Sequence, residues 1–322
     1  MFGLLVCLLS DIYMRADNSY SPMPLISQTY FNNPIIRLEF SIELNYEIEQ
    51  PGCDFIFNIH PAKTNRQILI RECLNVSQNW ENLIICDSAT YTRSLRLKAK
   101  PPFLKLSYKG VVDLLHFSVN PNEISETPIA KLPDKVLTYL YPSRYCESDL
   151  MQDIAIKEFG GLNHGYTRVE FICNWVKNHV KFQPNSSTSH TTAINTYLTQ
   201  AGVCRDFAHL MITLCRSLNI PARFVTGIDY GSDPILGPTD FHAYVEVYLD
   251  GRWYIFDPSG VAIPMGFLRI GTGRDAADTA IATIFGAVRG SQPIISIKAI
   301  LNSNGELQIP RYISMGLSTD DV

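Results

Sequence analysis

The segment Gly202-Val203-Cys204-Arg205-Asp206-Phe207-Ala208-His209-Leu210 lies where a glycine-marked turn changes into a helical pattern. Apolar residues then recur at helical spacing up to an Asn219-Ile220-Pro221 stop, namely Phe207, Leu210, Met211, Leu214 and Leu218. Cys204 is therefore predicted in the first turn of a helix, with Asp206 placed to interact with the free N–H groups. A thiolate at this end of a helix is stabilised by the helix dipole, although most cysteines beside helices are inert.

A second segment downstream supplies partners for this sulfur. The pair Asp250-Gly251 is a strong two-residue hairpin signal between the predicted strands Phe241–Leu249 and Trp253–Asp257. With that turn length, His242 and Asp257 lie on one face of the sheet as diagonal neighbours. A loop one residue longer or shorter would place them on opposite faces. The spacing thus predicts a carboxylate within reach of an imidazole.

Together these residues form a candidate nucleophilic triad. Cys204 would attack a carbonyl carbon and form a thioester. His242 would keep the thiol ionised and later protonate the leaving amine, while Asp257 would fix the His242 tautomer. The backbone N–H of Cys204 would bind the oxyanion, since a helix start offers free donors. A second donor stays open among three upstream residues: Asn195, Tyr197 and Gln200.

Five segments of the second half resemble the transglutaminase-like superfamily, and more narrowly its bacterial branch of cysteine proteases with an N-terminal β domain. These segments are residues 202–209, 220–225, 241–247, 252–258 and 271–278, all within 165–290. The resemblance implies that Cys204, His242 and Asp257 are catalytic. Tyr244 stands where the family commonly has Trp, and Ser259 replaces a usual Thr. Neither departure removes a catalytic group.

The first half of the chain is typical of a β domain. Apolar and polar residues alternate from Ile36 to Ile48, the pattern of a strand with one buried face. Shorter strand-like runs and turn residues follow, which favours an antiparallel β-sandwich-like domain. The predicted fold is therefore α+β, with a transglutaminase-like (papain-like) domain second. The expected boundaries are 30–120 for the β domain, 121–147 for a Pro-rich linker and 148–322 for the catalytic domain.

Composition narrows the possible partners. The formal net charge is −4 and the basic residues are scattered, which argues against a nucleic-acid surface. The eight cysteines include no CxxC pair and no acidic loop has EF-hand spacing, so we expect no metal or cofactor. Free thiols, a short apolar start at residues 1–9 without a basic n-region, and no run long enough for a bilayer indicate a cytoplasmic protein without membrane contact.

Three functions fit these residues. The first is hydrolysis of an amide bond in a peptide, a protein or a small amide, as by a cysteine protease or amidase. The second is acyl transfer to an amine through the same triad, as in a transglutaminase. The third is a peptide-binding module that keeps the fold without turnover. The oligomeric state cannot be read from the sequence.

Overall fold

The computed structural model describes residues 34–79, 83–231 and 239–320, so the interpretation of residues 1–9 and most of the 229–240 loop lie outside it. The strands are β1 (Ile36–Ile48), β2 (Cys53–His60), β3 (Gln67–Val76), β4 (Leu83–Cys86), β5 (Arg93–Ala99), β6 (Phe103–Leu114), β7 (Phe117–Val119), β8 (Lys181–Phe182), β9 (Ala201–Gly202), β10 (Ala222–Asp229), β11 (Phe241–Leu249), β12 (Arg252–Phe256), β13 (Phe267–Gly273), β14 (Ala282–Phe285), β15 (Val288–Gly290), β16 (Ile294–Ile300) and β17 (Gly316–Ser318). The helices are α1 (Asp134–Leu137), α2 (Gln152–Phe159), α3 (Tyr166–His179), α4 (Ala193–Thr199) and α5 (Cys204–Ser217). Within the described residues, none of these helices has the length and apolar character needed to span a membrane.

The N-terminal domain is built from two antiparallel sheets. One has the order β15-β1-β6-β3, with β16 also paired to β1, and the other has the order β14-β2-β5-β4. Along β1 every second side chain from Ile36 to Leu44 is buried, as the alternation predicts. The buried faces of the two sheets share one apolar core, in which the Tyr46 and Phe55 rings lie 5.2 Å apart. The predicted antiparallel β domain is confirmed.

The chain returns to this first domain after residue 280. Strand β14 pairs with β2, and both β15 and β16 pair with β1. The predicted range 148–322 for the catalytic domain therefore contains three strands that complete the sheets of the N-terminal one. A strand's own sequence shows which face is buried but not which distant strand it joins, so this return has no local signal.

The Pro-rich segment 121–147 packs against the second domain. It holds α1 and three single-turn 3₁₀ helices: Pro121–Glu123, Ile129–Lys131 and Thr138–Leu140. Val136 and Tyr139 are buried against Tyr248 and Trp253 of the β11–β12 hairpin. The Tyr139 and Trp253 rings meet edge to face, with centroids 5.2 Å apart. These contacts fix the path of the chain between the two domains.

Helix α5 is the centre of the C-terminal domain. It lies against an antiparallel sheet of order β12-β11-β10-β13, mainly on β10 and β11. Helices α2, α3 and α4 pack on its other sides, so every residue from Asp206 to Ser217 is buried. The sequence predicts one buried apolar stripe, whereas in the structure neighbouring elements bury the helix on all sides. The predicted α+β arrangement of this domain is confirmed.

The β11–β12 hairpin has the predicted register. Asp250 and Gly251 have φ angles of 45° and 78°, which a type I′ turn requires. Leu249 pairs with Arg252, and the ladder continues to Val245 and Phe256. The turn therefore sets the face on which every later side chain of the hairpin lies.

A buried ion cluster attaches the end of the chain to this sheet. Arg223 donates to Glu246 at 2.7 Å and also pairs with Asp320, and Arg269 lies 3.1 Å from Asp320. All four side chains are nearly inaccessible to solvent. A buried cation without its carboxylate is costly, so Asp320 stabilises both guanidinium groups.

We predict that Asp320→Ala lowers the free energy of unfolding by about 3–5 kcal/mol, because two buried cations lose a partner. Urea denaturation measures the loss. The control is Glu43→Ala, which removes an exposed pair with Lys105 at 3.3 Å and should cost less than about 1 kcal/mol. Equal costs for the two variants would contradict a stabilising role for the buried cluster.

Candidate active site

Cys204 is the first residue of α5 and is partly exposed, while the helix from Asp206 to Ser217 is buried behind it. The Asp206 carboxylate accepts the Val203 N–H at 2.9 Å, which anchors the residue before the helix. Gly202 passes so close that an added Cβ would lie 2.8 Å from the Asp206 Cβ. The glycine and the aspartate of the quoted segment therefore fix the backbone that carries the sulfur.

The second oxygen of Asp206 contacts one residue of the first turn of α5 and one residue of the polar loop before α4. It accepts the Ser187 hydroxyl at 2.9 Å and pairs with Arg205 at 3.2 Å. The Arg205 guanidinium lies 5.4 Å from the centre of the Tyr145 ring and donates to the Thr188 carbonyl at 2.6 Å. The polar loop before α4 is thus tied to the first turn of α5.

His242 and Asp257 meet as the hairpin register predicts. The imidazole Nε2 lies 3.3 Å from the Asp257 Oδ1, and both side chains are buried. Asp257 also accepts the Ser259 hydroxyl at 2.6 Å and the Ala262 N–H at 3.2 Å. These bonds hold the carboxylate in one orientation. Ser259 thus makes the hydroxyl contact that the family's usual Thr is also able to make.

The thiol of Cys204 lies close enough to the His242 ring to help raise the pKa of the imidazole. Because Nε2 faces Asp257, Nδ1 is the ring nitrogen left for the sulfur. The structure therefore brings the three predicted site residues together in the order Cys204, His242, Asp257.

The charges of the site favour an imidazolium–carboxylate pair. Burial lowers the pKa of His242, but Asp257 and Cys204 outweigh it and raise the pKa well above its usual value. Burial raises the pKa of Asp257, yet His242, Ser259 and Ala262 more than offset this and lower it. At neutral pH we therefore expect a protonated His242 beside an ionised Asp257.

His209, five residues beyond Cys204, does not join this group. It is fully buried, stacks on Tyr145 at 5.0 Å and accepts the Ala276 N–H at 3.1 Å. These contacts give it a packing role behind the helix. The Ala276 contact places the loop of residues 271–278 against the back of α5.

Two of the three suggested second oxyanion donors make other contacts. The Asn195 side chain accepts the Thr192 N–H at 3.0 Å and caps α4. The Tyr197 ring stacks on His179 at 5.1 Å. No cluster of three or more His, Cys, Asp or Glu side chains within residues 34–79, 83–231 and 239–320 could hold a metal ion.

Asp229 is the residue at this site that the sequence analysis missed. It ends β10, and its Oδ2 lies 3.8 Å from the His242 Nδ1. The one available signal was an acidic residue at the end of an apolar strand, directly before a polar loop. Nothing local placed it opposite His242, because β10 and β11 are joined by a long loop without hairpin signature.

Family comparison agrees with this architecture. Residues 153–258 match the model of the transglutaminase-like superfamily, and residues 36–135 match the model of the bacterial transglutaminase N-terminal domain. A crystal structure from Cytophaga hutchinsonii, provisionally named a cysteine protease, is 34% identical with a TM-score of 0.82. The match covers 90% of this chain and 99% of that one. The chain belongs to the transglutaminase-like superfamily.

Two curated relatives are more distant. An uncharacterized protein of Mycobacterium leprae is 25% identical over 198 residues, which are 59% of this chain and 71% of that protein. An uncharacterized protein of Mycobacterium tuberculosis is 32% identical over 106 residues, which are 29% of this chain and 34% of that protein. Neither description adds an activity.

We predict that Asp257→Asn lowers the pKa of His242, because the variant removes the negative charge beside Nε2. An NMR titration of the ring should then show the imidazolium losing its proton at lower pH than in the wild type. Ser259→Ala, which removes one hydroxyl and leaves the carboxylate charge, should shift the titration less. The same midpoint in the wild type and Asp257→Asn would contradict this pairing.

Proposed function

We propose that the protein is a thiol-dependent enzyme that hydrolyses amide bonds, as a cysteine protease or amidase of the transglutaminase-like type. One observation carries the proposal: the imidazole of His242 lies 3.3 Å from the carboxylate of Asp257, and the thiol at the start of α5 is near enough to the same ring to raise its pKa. The family supports a peptide or protein substrate, and a small amide would fit the same chemistry.

The first half of the reaction forms a thioester. The proton of the Cys204 thiol resides on Nδ1 of the protonated His242, and the thiolate attacks the carbonyl carbon. The oxyanion of the tetrahedral intermediate is stabilised by N–H groups at the start of α5, which have no partner inside the helix. When the C–N bond breaks, the imidazolium gives its proton to the leaving amine. Asp257 keeps the ring in the orientation that both transfers need.

The second half restores the thiol. Water loses a proton to the neutral imidazole and attacks the thioester carbonyl, and the C–S bond breaks. The proton then returns from His242 to the sulfur as the acid leaves. No other reactant is required.

Acyl transfer is the second candidate, and the match of both domains to transglutaminase models favours it. A primary amine would take the place of water in the second half, and the product would be a new amide. The two reactions differ only in what reaches the thioester.

We expect Cys204→Ala to lower turnover of every substrate by at least about a thousandfold, since the nucleophile is lost. A library of peptides and amides, assayed with and without a fluorescent primary amine, measures this. Cys73→Ala removes an exposed thiol on β3 and should leave turnover unchanged. Full turnover by Cys204→Ala would overturn the proposal, and products that never contain the added amine would exclude transfer.

A binding module without turnover makes a different prediction for the free protein. If the site is a catalytic one, iodoacetamide should alkylate Cys204 at neutral pH about tenfold faster than Cys73, because His242 accepts the thiol proton. Mass spectrometry of the alkylated peptides gives both rates in one sample. Equal rates would support the binding module.

A cytoplasmic location stays a prediction.

A further inference from the structure

A second carboxylate faces the imidazole of His242. Asp229 is the last residue of β10, and Gly227 of that strand pairs with His242 on β11. The Asp229 Oδ2 lies 3.8 Å from Nδ1, the ring nitrogen that does not face Asp257. The imidazole thus lies between two carboxylates, with Asp257 at one nitrogen and Asp229 at the other.

Asp229 is buried at the site, and its Oδ2 lacks a hydrogen-bond donor among the described residues. Its residue is only 2% exposed, and its Oδ2 accepts no hydrogen bond from any residue that the structure describes. A buried carboxylate oxygen without a donor is costly, so such a group points to a partner that forms during function. The cation within 4 Å of it is the His242 ring in its protonated form.

The proposed reaction produces a hydrogen-bond donor for the Asp229 Oδ2. In an imidazolium both nitrogens carry a proton, and Asp257 accepts only the one on Nε2. Once the sulfur has bonded to the carbonyl carbon, it no longer carries the charge that attracts the proton on Nδ1. The imidazolium then keeps this proton until the leaving amine takes it, and Asp229 is the acceptor on that side during this interval.

We propose that Asp229 is a positioning residue, whose carboxylate holds the protonated His242 ring at the nitrogen that faces Cys204. The inference rests on the proposed function, because it assigns a step to the same thiol–imidazole pair. Asp229 stays ionised and accepts a hydrogen bond; it takes no proton and forms no bond to the substrate.

Other charged or titratable groups also lie around His242 and Asp229. They are Asp257 after β12, Cys204 on α5, Asp240 before β11 and Tyr312 of the C-terminal segment, whose hydroxyl donates to Ala262. Burial raises the pKa of Asp229, Asp257 and Asp240 raise it further, and His242 lowers it. Asp229 therefore loses its charge at higher pH than Asp257 does, and the two carboxylates have distinct roles.

Alkylation of Cys204 tests the proposal without a substrate. The rate with iodoacetamide is measured against pH in the wild type and in Asp229→Asn. A negative charge beside a titrating pair keeps both protons bound to higher pH, so both limbs of the profile should move to lower pH in the variant. The ratio of iodoacetate to iodoacetamide rates should also rise about tenfold, since the carboxylate no longer repels an anionic reagent.

Two variants complete the test. Asp240→Asn removes an exposed charge near Asp229. It should leave the pH profile of alkylation and the iodoacetate to iodoacetamide ratio close to those of the wild type. Asp229→Glu keeps the charge and should restore the wild-type ratio even if both substitutions at 229 lower the melting temperature. An unchanged profile and ratio in Asp229→Asn, or the same altered ratio in Asp229→Glu, would overturn the proposal.

The two proposals fail in different ways. A wild-type protein that alkylates rapidly but turns over no amide would remove the proposed reaction, while the effect of Asp229 on the thiol stays measurable. An active enzyme whose alkylation is indifferent to Asp229→Asn would remove only the role of this residue.

Discussion

The two-residue turn at Asp250-Gly251 is the constraint on which the site depends. It sets the register of β11 against β12, and through it the face on which His242 and Asp257 lie. A register shift of one residue would turn the imidazole away from the carboxylate and leave both buried without their partner. The same sheet supports α5, so the position of the sulfur relative to the imidazole follows from the packing of α5 on β10 and β11.

The backbone at the start of α5 is the second constraint on the site. Asp206 accepts the Val203 N–H with one oxygen and binds Ser187 and Arg205 with the other, so the backbone before Cys204 cannot move independently of the preceding loop. Behind it, His209 binds the loop that follows β13. A nucleophile needs to stay within hydrogen-bonding reach of its base, and these buried polar contacts hold it there.

Local patterns were enough for the parts of the fold that depend on neighbours in sequence. The alternation in β1, the helical spacing in α5 and the Asp250-Gly251 turn each act over a few residues, and the structure agrees with all three. The return of residues 282–300 to the first domain and the placement of Asp229 were missed. Both depend on pairing between distant strands, for which neither a residue's type nor its periodicity carries information.

The proposed reaction requires that the sulfur of Cys204 becomes acylated. Incubation with p-nitrophenyl acetate, an activated acyl donor, followed by acid quenching and peptide mass spectrometry, tests this directly. We expect an acetyl group on the peptide that contains Cys204, formed with a burst of nitrophenol and absent from Cys204→Ala. Acetylation confined to other residues, or the same burst in Cys204→Ala, would contradict acylation of this sulfur.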